Sequence, residues 1–268
     1  MTPRRRHGRL AAFSLSLALA LAGGVRAHAA CLALPERHVS APAAQALATA
    51  VESVLAAKGA KVAIVFRLDL PRVTTPRELL FSQGGLFVHV DDDAGPHDEI
   101  YALQQGRGGK TPCERSVLTQ ETPDAFFAWA VEPRASALIP TTEMQARLLA
   151  VLGSPAYAAL HNPDYSLMAN PFERRHQNGA GFLLRLVEAA RLDTTDADRI
   201  DAAIRREFRP TEVKLNPLMR TLGGTVNGRM ALDDQHGAIQ TAAFPSLAGY
   251  MAAKGLLAEP PLELAPPR

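Results

Sequence analysis

The sequence predicts an α+β fold in which a small antiparallel sheet is packed by helices. A helical pattern over residues 41–58 precedes a cluster of short strand patterns between residues 61 and 104, and helical patterns dominate from residue 141 onwards. The 268 residues are 47% hydrophobic and 21% charged, which is the composition of an ordinary globular protein with one sizeable core. We therefore expect a single domain over residues 31–250.

The first 29 residues have the pattern of an export signal. The basic run PRRRHGR precedes an apolar stretch from Leu10 to Ala22, and Ala27-His28-Ala29 forms a small-x-small cleavage site. The apolar stretch is shorter than the roughly 20 residues that cross a bilayer. We therefore expect cleavage near Ala29, export to the periplasm and no stable membrane span.

The charge balance argues against nucleic acid as a partner. The predicted signal carries five of the 29 basic residues and no acidic residue, so that 24 basic residues remain against 27 acidic ones. A slightly acidic protein with scattered basic residues lacks the basic patch that polyanions require.

Two cysteines, Cys31 and Cys113, remain after removal of the signal. Thiols outside the cytoplasm tend to be oxidised, so an even count of two predicts one disulfide between them. Two unpaired buried thiols are one alternative. Lipidation of Cys31 is another, although His28 stands where a lipobox requires an aliphatic residue.

The first half of the chain predicts one helix and three strands. Ser40 and Pro42 start a helix that ends at Lys58. The run KVAIVFR at 61–67 is typical of a strand buried on both faces, and FSQGGLFVHV alternates as a second strand. The acidic residues 91–93 predict a turn before a third strand. The glycine-rich segment QQGRGGKTPC lacks the lysine-serine ending of a phosphate loop, so we expect a plain loop.

The middle of the chain predicts shorter elements and then the principal helix. Pro123 opens a short helix, residues 137–139 form a brief strand, and Thr141 or Thr142 caps a further helix. The polar loop that begins at His161 leads to a helix capped by Asn178. The apolar stripe of that helix contains Phe182, Leu183, Leu186, Val187 and Ala190, and Arg185 and Glu188 are expected on the opposite side.

Two helices and a tail complete the prediction. Thr194 or Thr195 caps a helix that continues to Phe208, and residues 245–254 form the last helix. The proline-rich segment 251–268 is expected to be a flexible tail without regular structure.

Five segments occur in the chain in this order: KVAIVFR, FSQGGL, LHNPDYSLMANPFERRHQN, NPLMRTLGG and LDDQH. In these segments and their order, the chain resembles the exported bacterial proteins grouped as domain of unknown function 2145, over about residues 31–250. The resemblance implies a permuted papain-like (NlpC-type) architecture, in which a histidine strand precedes a cysteine helix in the sequence. In such sites the helix N-terminus stabilises a thiolate and the imidazole transfers its proton.

This chain departs from the family pattern at both catalytic positions. Gln83 stands where the resemblance implies histidine in FSQGGL, and Gly179 stands where it implies cysteine after the loop. Glycine has no nucleophile, and an amide cannot carry a proton at neutral pH. We therefore expect a degenerate site with no catalytic residue, no cofactor and no metal.

Five loop residues are candidates for lining the cleft of that site: His161, Asp164, His176, Gln177 and Asn178. The spacing of the two histidines matches no compact metal-binding pattern, so bonds to the loop backbone are the simpler interpretation. The segment LDDQH supplies Asp233, Asp234 and His236, for which the sequence predicts no role.

The leading hypothesis is a non-catalytic binding protein of the cell envelope that holds a peptide, a cell-wall fragment or an acyl ligand. One alternative is an active hydrolase or acyltransferase in which water is activated by His161, His176 and Asp164. That alternative requires two of His161, His176, His236 and Asp164 within hydrogen-bonding distance of each other. A structural envelope protein is the third hypothesis, and the sequence carries no signal for an oligomeric state.

Overall fold

An antiparallel sheet of six strands organises the computed structural model, which describes residues 39–72, 75–107, 110–215 and 229–267. The strands of this sheet are β1 (Val62–Arg67), β2 (Gln83–Asp92), β3 (Gly95–Gln105), β4 (Ser116–Glu121), β5 (Ala135–Leu138) and β8 (Leu262–Leu264). Strands β6 (Thr211–Val213) and β7 (Ile239–Thr241) form a separate two-stranded sheet. The order in the large sheet is β4-β3-β2-β1-β5-β8. The predicted α+β class is confirmed. The predicted export signal and Cys31 lie outside the described residues.

Seven helices and one short 3-10 turn at Arg77–Leu79 are found in the described ranges. The helices are α1 (Ala41–Ala57), α2 (Pro123–Phe127), α3 (Thr142–Leu152), α4 (Pro155–Ala159), α5 (Gly179–Leu192), α6 (Ala197–Glu207) and α7 (Phe244–Ala253). The predicted caps Ser40, Thr141 and Asn178 each accept a hydrogen bond from the first turn of their helix. No helix among these is both long and apolar enough to cross a membrane.

Strand β1 separates two hydrophobic cores. Val62, Ile64 and Phe66 face one core, which also contains the buried sides of α3, α5 and α7. Ala63 and Val65 face the other core, which is closed by α1 and α2. Successive side chains of a strand point to opposite faces, so every residue of β1 is buried, as the continuous apolar run predicts.

The structure corrects the prediction at three short elements. The acidic turn is shorter than expected, because β2 continues through Asp92 and pairs with Gly95, whose φ of 95° lies in the left-handed region. Strand β4 was not predicted, because its sequence SVLTQE shows little apolar alternation. Helix α4 has five residues, too few to show a helical period.

The expectation of a flexible, unstructured tail at 251–268 is wrong. Helix α7 continues to Ala253, and β8 then pairs with β5 in the register Ala135↔Leu264. Leu262 and Leu264 pack against the core beneath α1. The prolines at 260, 261, 266 and 267 lie before and after β8 rather than within it, so none of them removes an N–H from the strand pairing.

Two predictions about polar residues in the C-terminal half are also wrong. Asp196 caps α6 in place of Thr194 or Thr195, since its carboxylate accepts from the backbone N–H of Asp198 at 2.9 Å. Glu188 was expected on the solvent side of α5, but it is 0% exposed. Its carboxylate is instead paired inside the protein, as described below.

Candidate functional site

Asn178 fixes the start of α5. Its Oδ1 accepts from Gly181 N at 2.7 Å, which satisfies one N–H of the first helical turn. Its Nδ2 donates to Leu167 O at 3.0 Å, Thr241 Oγ1 at 2.9 Å and Ala242 O at 3.1 Å. The predicted cap therefore also ties the helix start to the preceding loop and to β7.

Gln177 has a similar positioning role one residue earlier. Its Nε2 donates to Leu160 O at 3.0 Å, and its Oε1 accepts from Asn162 N at 2.8 Å. Both ends of the amide are occupied, so this cleft candidate holds the loop that begins at His161.

The segment LDDQH holds the same loop from the other side. The buried carboxylate of Asp234 accepts from Asn170 N at 2.8 Å, and Asn170 Nδ2 donates to Asp234 O at 3.0 Å. Gln235 Nε2 donates to Met168 O at 2.7 Å. These contacts give the segment a scaffolding role that no spacing in the sequence indicates.

Positions 83 and 179 meet where α5 begins. A Cβ atom added to Gly179 would lie 3.0 Å from Gln83 Oε1 and 3.6 Å from both Gly84 N and Ser82 O. Gly179 is the first residue of α5, and Gln83 is the first residue of β2. A side chain at position 179 would therefore contact the side chain of residue 83, the two positions at which the resemblance implied cysteine and histidine.

The side chain of Gln83 is fixed at one end only. It is 3% exposed, and its Nε2 donates to Leu103 O at 3.2 Å. Its Oε1 is buried and has no hydrogen-bond partner within the described ranges. A buried acceptor without a donor costs free energy, so Gln83 Oε1 is an unsatisfied group of this site.

Asp69, which the sequence analysis missed, positions the start of β2. Its Oδ1 accepts from Ser82 N at 3.1 Å and from Gln83 N at 3.3 Å, and Ser82 Oγ also donates to it at 2.9 Å. The only feature of the sequence that could have indicated this role is the position of Asp69, a carboxylate two residues after the end of a buried strand.

A narrow pocket opens beside Gln83. Its lining residues are Arg67, Asp69, Gln83, Gln104, Gln105, Arg107, Trp129 and Arg229. The basic side chains here were also missed, because Arg67 ends a strand pattern and Arg107 lies in a segment expected to be a plain loop.

The histidines and Asp164 each have separate partners. His161 Nε2 lies 3.0 Å from Ser116 Oγ, and burial lowers the pKa of this histidine. Asp164 forms an ion pair with Arg115. His161 and Asp164 line the same groove as His176, but no hydrogen bond or ion pair joins any two of them in the described part of the chain.

His176 and His236 contact carboxylates other than Asp164. His176 Nε2 lies 2.6 Å from Asp233 Oδ1, and Arg175 pairs with the same carboxylate at 2.6 Å. The side chain of His236 is 75% exposed and lies 3.9 Å from Glu173. The condition set for the alternative hydrolase, two of these groups bonded to one another, is therefore not met.

No group of three or more His, Cys, Asp or Glu side chains able to hold a metal ion is found over the described residues. Cys113 is buried in the loop before β4, and Gln105 Nε2 donates to its carbonyl at 3.1 Å. Since Cys31 lies outside the described residues, the disulfide between these two cysteines stays a prediction.

The fold and the site define an α+β protein in which the first residue of a buried helix meets the first residue of a central strand. A family model described as "Uncharacterized protein conserved in bacteria (DUF2145)" matches residues 54–251. The match spans well over half of the chain, so the chain belongs to this family. The comparison with curated proteins and the comparison with solved structures each found no match.

Proposed function

We propose that this protein is an exported, non-catalytic binding protein of the cell envelope. Its frame is that of a permuted papain-like enzyme in which Gly179 replaces the cysteine and Gln83 replaces the histidine. One observation carries the proposal: the Cβ position of residue 179 lies 3.0 Å from the side chain of residue 83. A nucleophile and its base need this proximity.

The order of the elements supports the same frame. The strand that carries Gln83 precedes the helix that begins at Gly179, as in permuted members of the papain-like class. A cysteine at the first position of a 14-residue helix would lie among backbone N–H groups that stabilise a thiolate. The site thus keeps the placement of a cysteine enzyme without its reactive groups.

The groups around Gly179 offer no substitute nucleophile. The nearest atoms besides the Gln83 amide are the backbone atoms of Gly84 and Ser82. The Ser82 hydroxyl donates to Asp69, with 2.9 Å between oxygens, at the foot of β2. A site without a nucleophile can bind a ligand but cannot attack it. In an envelope protein the ligand would be a peptide, a cell-wall fragment or an acyl compound.

Reconstructing the pair tests the frame. In Gly179→Cys, the new thiol should have a pKa below the ordinary value of about 8.5, and the pH dependence of its reaction with iodoacetamide measures that pKa. Gln83 Oε1 must move by a few tenths of an ångström to admit the Cβ, which the end of a flexible side chain can do. Adding Gln83→His should change the pH dependence of alkylation, because an imidazole then shares the thiol proton.

Gly249→Cys is the matched control. Gly249 is exposed inside α7, and nothing lies within 4 Å of its added Cβ, so its thiol should titrate normally. Mass spectrometry of the labelled peptides separates each new thiol from Cys113. If the double variant alkylates with the same pH profile as Gly179→Cys alone, residues 83 and 179 are not partners. Hydrolysis of peptide, amide or thioester substrates by the unmodified protein would also overturn the proposal.

A further inference from the structure

A groove with an excess of positive charge lies between the end of α6 and one face of α7. Its volume is about 560 Å³, within the range of about 300–1,000 Å³ that is usual for small-molecule sites. Three cationic side chains line it, Arg206, Arg209 and Lys254, and Glu207 is the one carboxylate among its described lining residues. Two positive charges are therefore uncompensated in this cationic groove.

Glu207 holds two of these cations in place. Its Oε2 accepts from Lys254 Nζ at 2.6 Å, and its Oε1 accepts from Arg206 Nε at 2.9 Å and from Arg206 Nη2. Arg191 Nη2 also donates to Oε2 at 3.3 Å. These hydrogen bonds, with the positive charges behind them, lower the pKa of Glu207 to about 2. One carboxylate that is shared by three cations cannot neutralise all of them.

A buried network supports Glu207 from behind. Arg191, in the last turn of α5, donates to both oxygens of the buried Glu188 at 2.8 and 2.7 Å. Tyr250 Oη donates to the same carboxylate at 2.6 Å. Arg191 and Glu188 therefore compensate each other beneath the groove. Because this network fixes Glu207, the two cations that Glu207 holds are positioned before a ligand arrives, which lowers the entropic cost of binding.

Arg209 adds a cation that has no carboxylate partner. It is exposed, its Nη1 donates to Phe208 O at 3.4 Å, and it forms no ion pair within the ranges that the structure describes. Arg206 Nη1 likewise has no partner among the described residues, because Glu207 occupies Nε and Nη2 of that side chain. The ammonium of Lys254 has three N–H donors and uses one of them on Glu207. Three side chains thus keep donors for an anion.

We propose that the cationic groove binds a terminal phosphate monoester. Such a group carries nearly two negative charges at neutral pH and three acceptor oxygens, which match the two uncompensated charges and the three donating side chains. Its bonds to arginine and lysine are charge-assisted. A carboxylate has one charge and two oxygens and would leave part of the site unsatisfied. The inference goes beyond the proposed function, because the groove adjoins the last turn of α5 and Gly179 begins the first.

A soluble ester and a lipid headgroup can both carry a terminal phosphate. The walls of the groove are open to solvent at Arg206, whose side chain is 70% exposed, and at Arg209. The phosphate of either source can therefore reach the donors, and the experiment separates the two sources.

Binding to the purified protein is measured by isothermal titration calorimetry with glycerol 3-phosphate and with glycerate, its carboxylate counterpart. Glycerol 3-phosphate should bind saturably and glycerate more weakly, and added salt should weaken both. Arg209→Gln should weaken the binding of glycerol 3-phosphate by about tenfold or more, as expected when a charge-assisted hydrogen bond is lost. Arg209 is exposed and has no ion pair among the described residues, so this variant should fold, and circular dichroism checks that it does.

Two further variants separate the groove from the net charge of the protein. Arg199→Gln is the matched control, because Arg199 is also an exposed arginine of α6 but does not line the groove; binding should be unchanged. Ala253→Leu leaves every charge in place and puts a larger side chain into the groove, since Ala253 is exposed on its lining. This variant should weaken the binding of glycerol 3-phosphate although it removes no cation.

Vesicle flotation distinguishes the sources of the phosphate. Vesicles of phosphatidylcholine with phosphatidic acid should retain the protein, and vesicles of phosphatidylcholine alone should not, if a lipid headgroup is the ligand. Binding of glycerol 3-phosphate without retention on either vesicle identifies a soluble ester instead.

Three outcomes would overturn the inference. The first is the absence of binding both to glycerol 3-phosphate and to vesicles with phosphatidic acid. The second is glycerate binding as tightly as glycerol 3-phosphate, and the third is an equal loss of binding in Arg199→Gln and Arg209→Gln. None of these outcomes affects the alkylation test of Gly179→Cys, so the cationic groove and the proposed function fail or succeed separately.

Discussion

Replacing Asn178 by aspartate tests whether this residue couples the start of α5 to the neighbouring segments or only caps the helix. Its Oδ1 accepts from Gly181 N at 2.7 Å, and its Nδ2 donates to Leu167 O, Thr241 Oγ1 and Ala242 O at 2.9–3.1 Å. Asparagine and aspartate are nearly equivalent as helix caps. A residue that served only as a cap would therefore tolerate the change.

The structure predicts a large loss of stability instead. Asn178→Ala should lower the free energy of unfolding by about 3 kcal/mol, of which about 1 kcal/mol is the cap and about 2 kcal/mol the three donated bonds. Asn178→Asp keeps the cap but turns a carboxylate oxygen towards two carbonyl oxygens in a site that is 3% exposed. Asn178→Asp should therefore lower the free energy of unfolding by about 3–5 kcal/mol, at least as much as Asn178→Ala, because an unpaired buried charge costs this much.

The sign of the pH dependence distinguishes this mechanism from a packing defect. Burial and the facing carbonyls raise the folded-state pKa of the introduced aspartate above its unfolded value of about 3.9. The loss of stability in Asn178→Asp is therefore complete above the folded-state pKa of the new aspartate. It becomes smaller as the pH falls below that pKa, because the protonated side chain can donate a hydrogen bond again. Asn178→Ala should show no such recovery.

Urea unfolding followed by circular dichroism measures these differences. Asp196→Asn is the control, since Asp196 caps the exposed start of α6 by accepting from Asp198 N and Arg199 N and donates nothing. It should change the free energy of unfolding by no more than about 0.5 kcal/mol. The coupling role of Asn178 is refuted if the free energy of unfolding of Asn178→Asp differs from that of the unmodified protein by no more than that of Asp196→Asn does.

Three further predictions concern other side chains. Tyr250→Phe removes the 2.6 Å hydrogen bond to the buried Glu188 carboxylate and should cost about 1.5–3 kcal/mol in urea unfolding; a neutral result would mean that the carboxylate does not need it. Burial lowers the pKa of His161, so the unfolded chain binds more protons below pH 6.5 and stability should fall with the pH in that window. In His161→Gln the urea midpoint should fall less as the pH drops below 6.5. The prediction is contradicted if the variant and the unmodified protein show the same pH dependence of the midpoint. The predicted Cys31–Cys113 disulfide should stabilise the protein by about 4 kcal/mol and lower its mass by two hydrogen atoms; two alkylatable thiols would disprove it.

The sequence was sufficient to predict the site's framework because that framework depends on local signals. Ser40 and Asn178 precede apolar helical patterns, and a polar side chain before such a pattern is a cap for reasons that act within one turn. The apolar run at 61–67 likewise predicts a buried strand without knowledge of its neighbours. Boundaries were less certain, as the helix cap at Asp196 shows.

The burial of charged side chains could not be predicted, because it depends on partners that are distant in sequence. Glu188 looks solvent-facing in the helical pattern, yet Arg191 binds both of its oxygens at 2.8 and 2.7 Å, and Tyr250 from α7 donates to it. Arg67 ends a strand pattern, and only the folded chain shows that Phe126 covers it. An analysis of sequence patterns places charged residues on the surface, because it cannot detect the distant partners that stabilise a buried charge.

Positions 83 and 179 act as one structural feature. Gln83 Nε2 is fixed on Leu103 O, which directs Oε1 towards residue 179. Any side chain at that position would place its Cβ 3.0 Å from this oxygen, so glycine leaves the Gln83 amide where it is. Glutamine in turn supplies an acceptor that stays neutral at every pH, beside arginines that would disfavour a protonated histidine. Glycine at position 179 and glutamine at position 83 leave the start of α5 without a thiol and without an imidazole, and the proposed non-catalytic function depends on this arrangement.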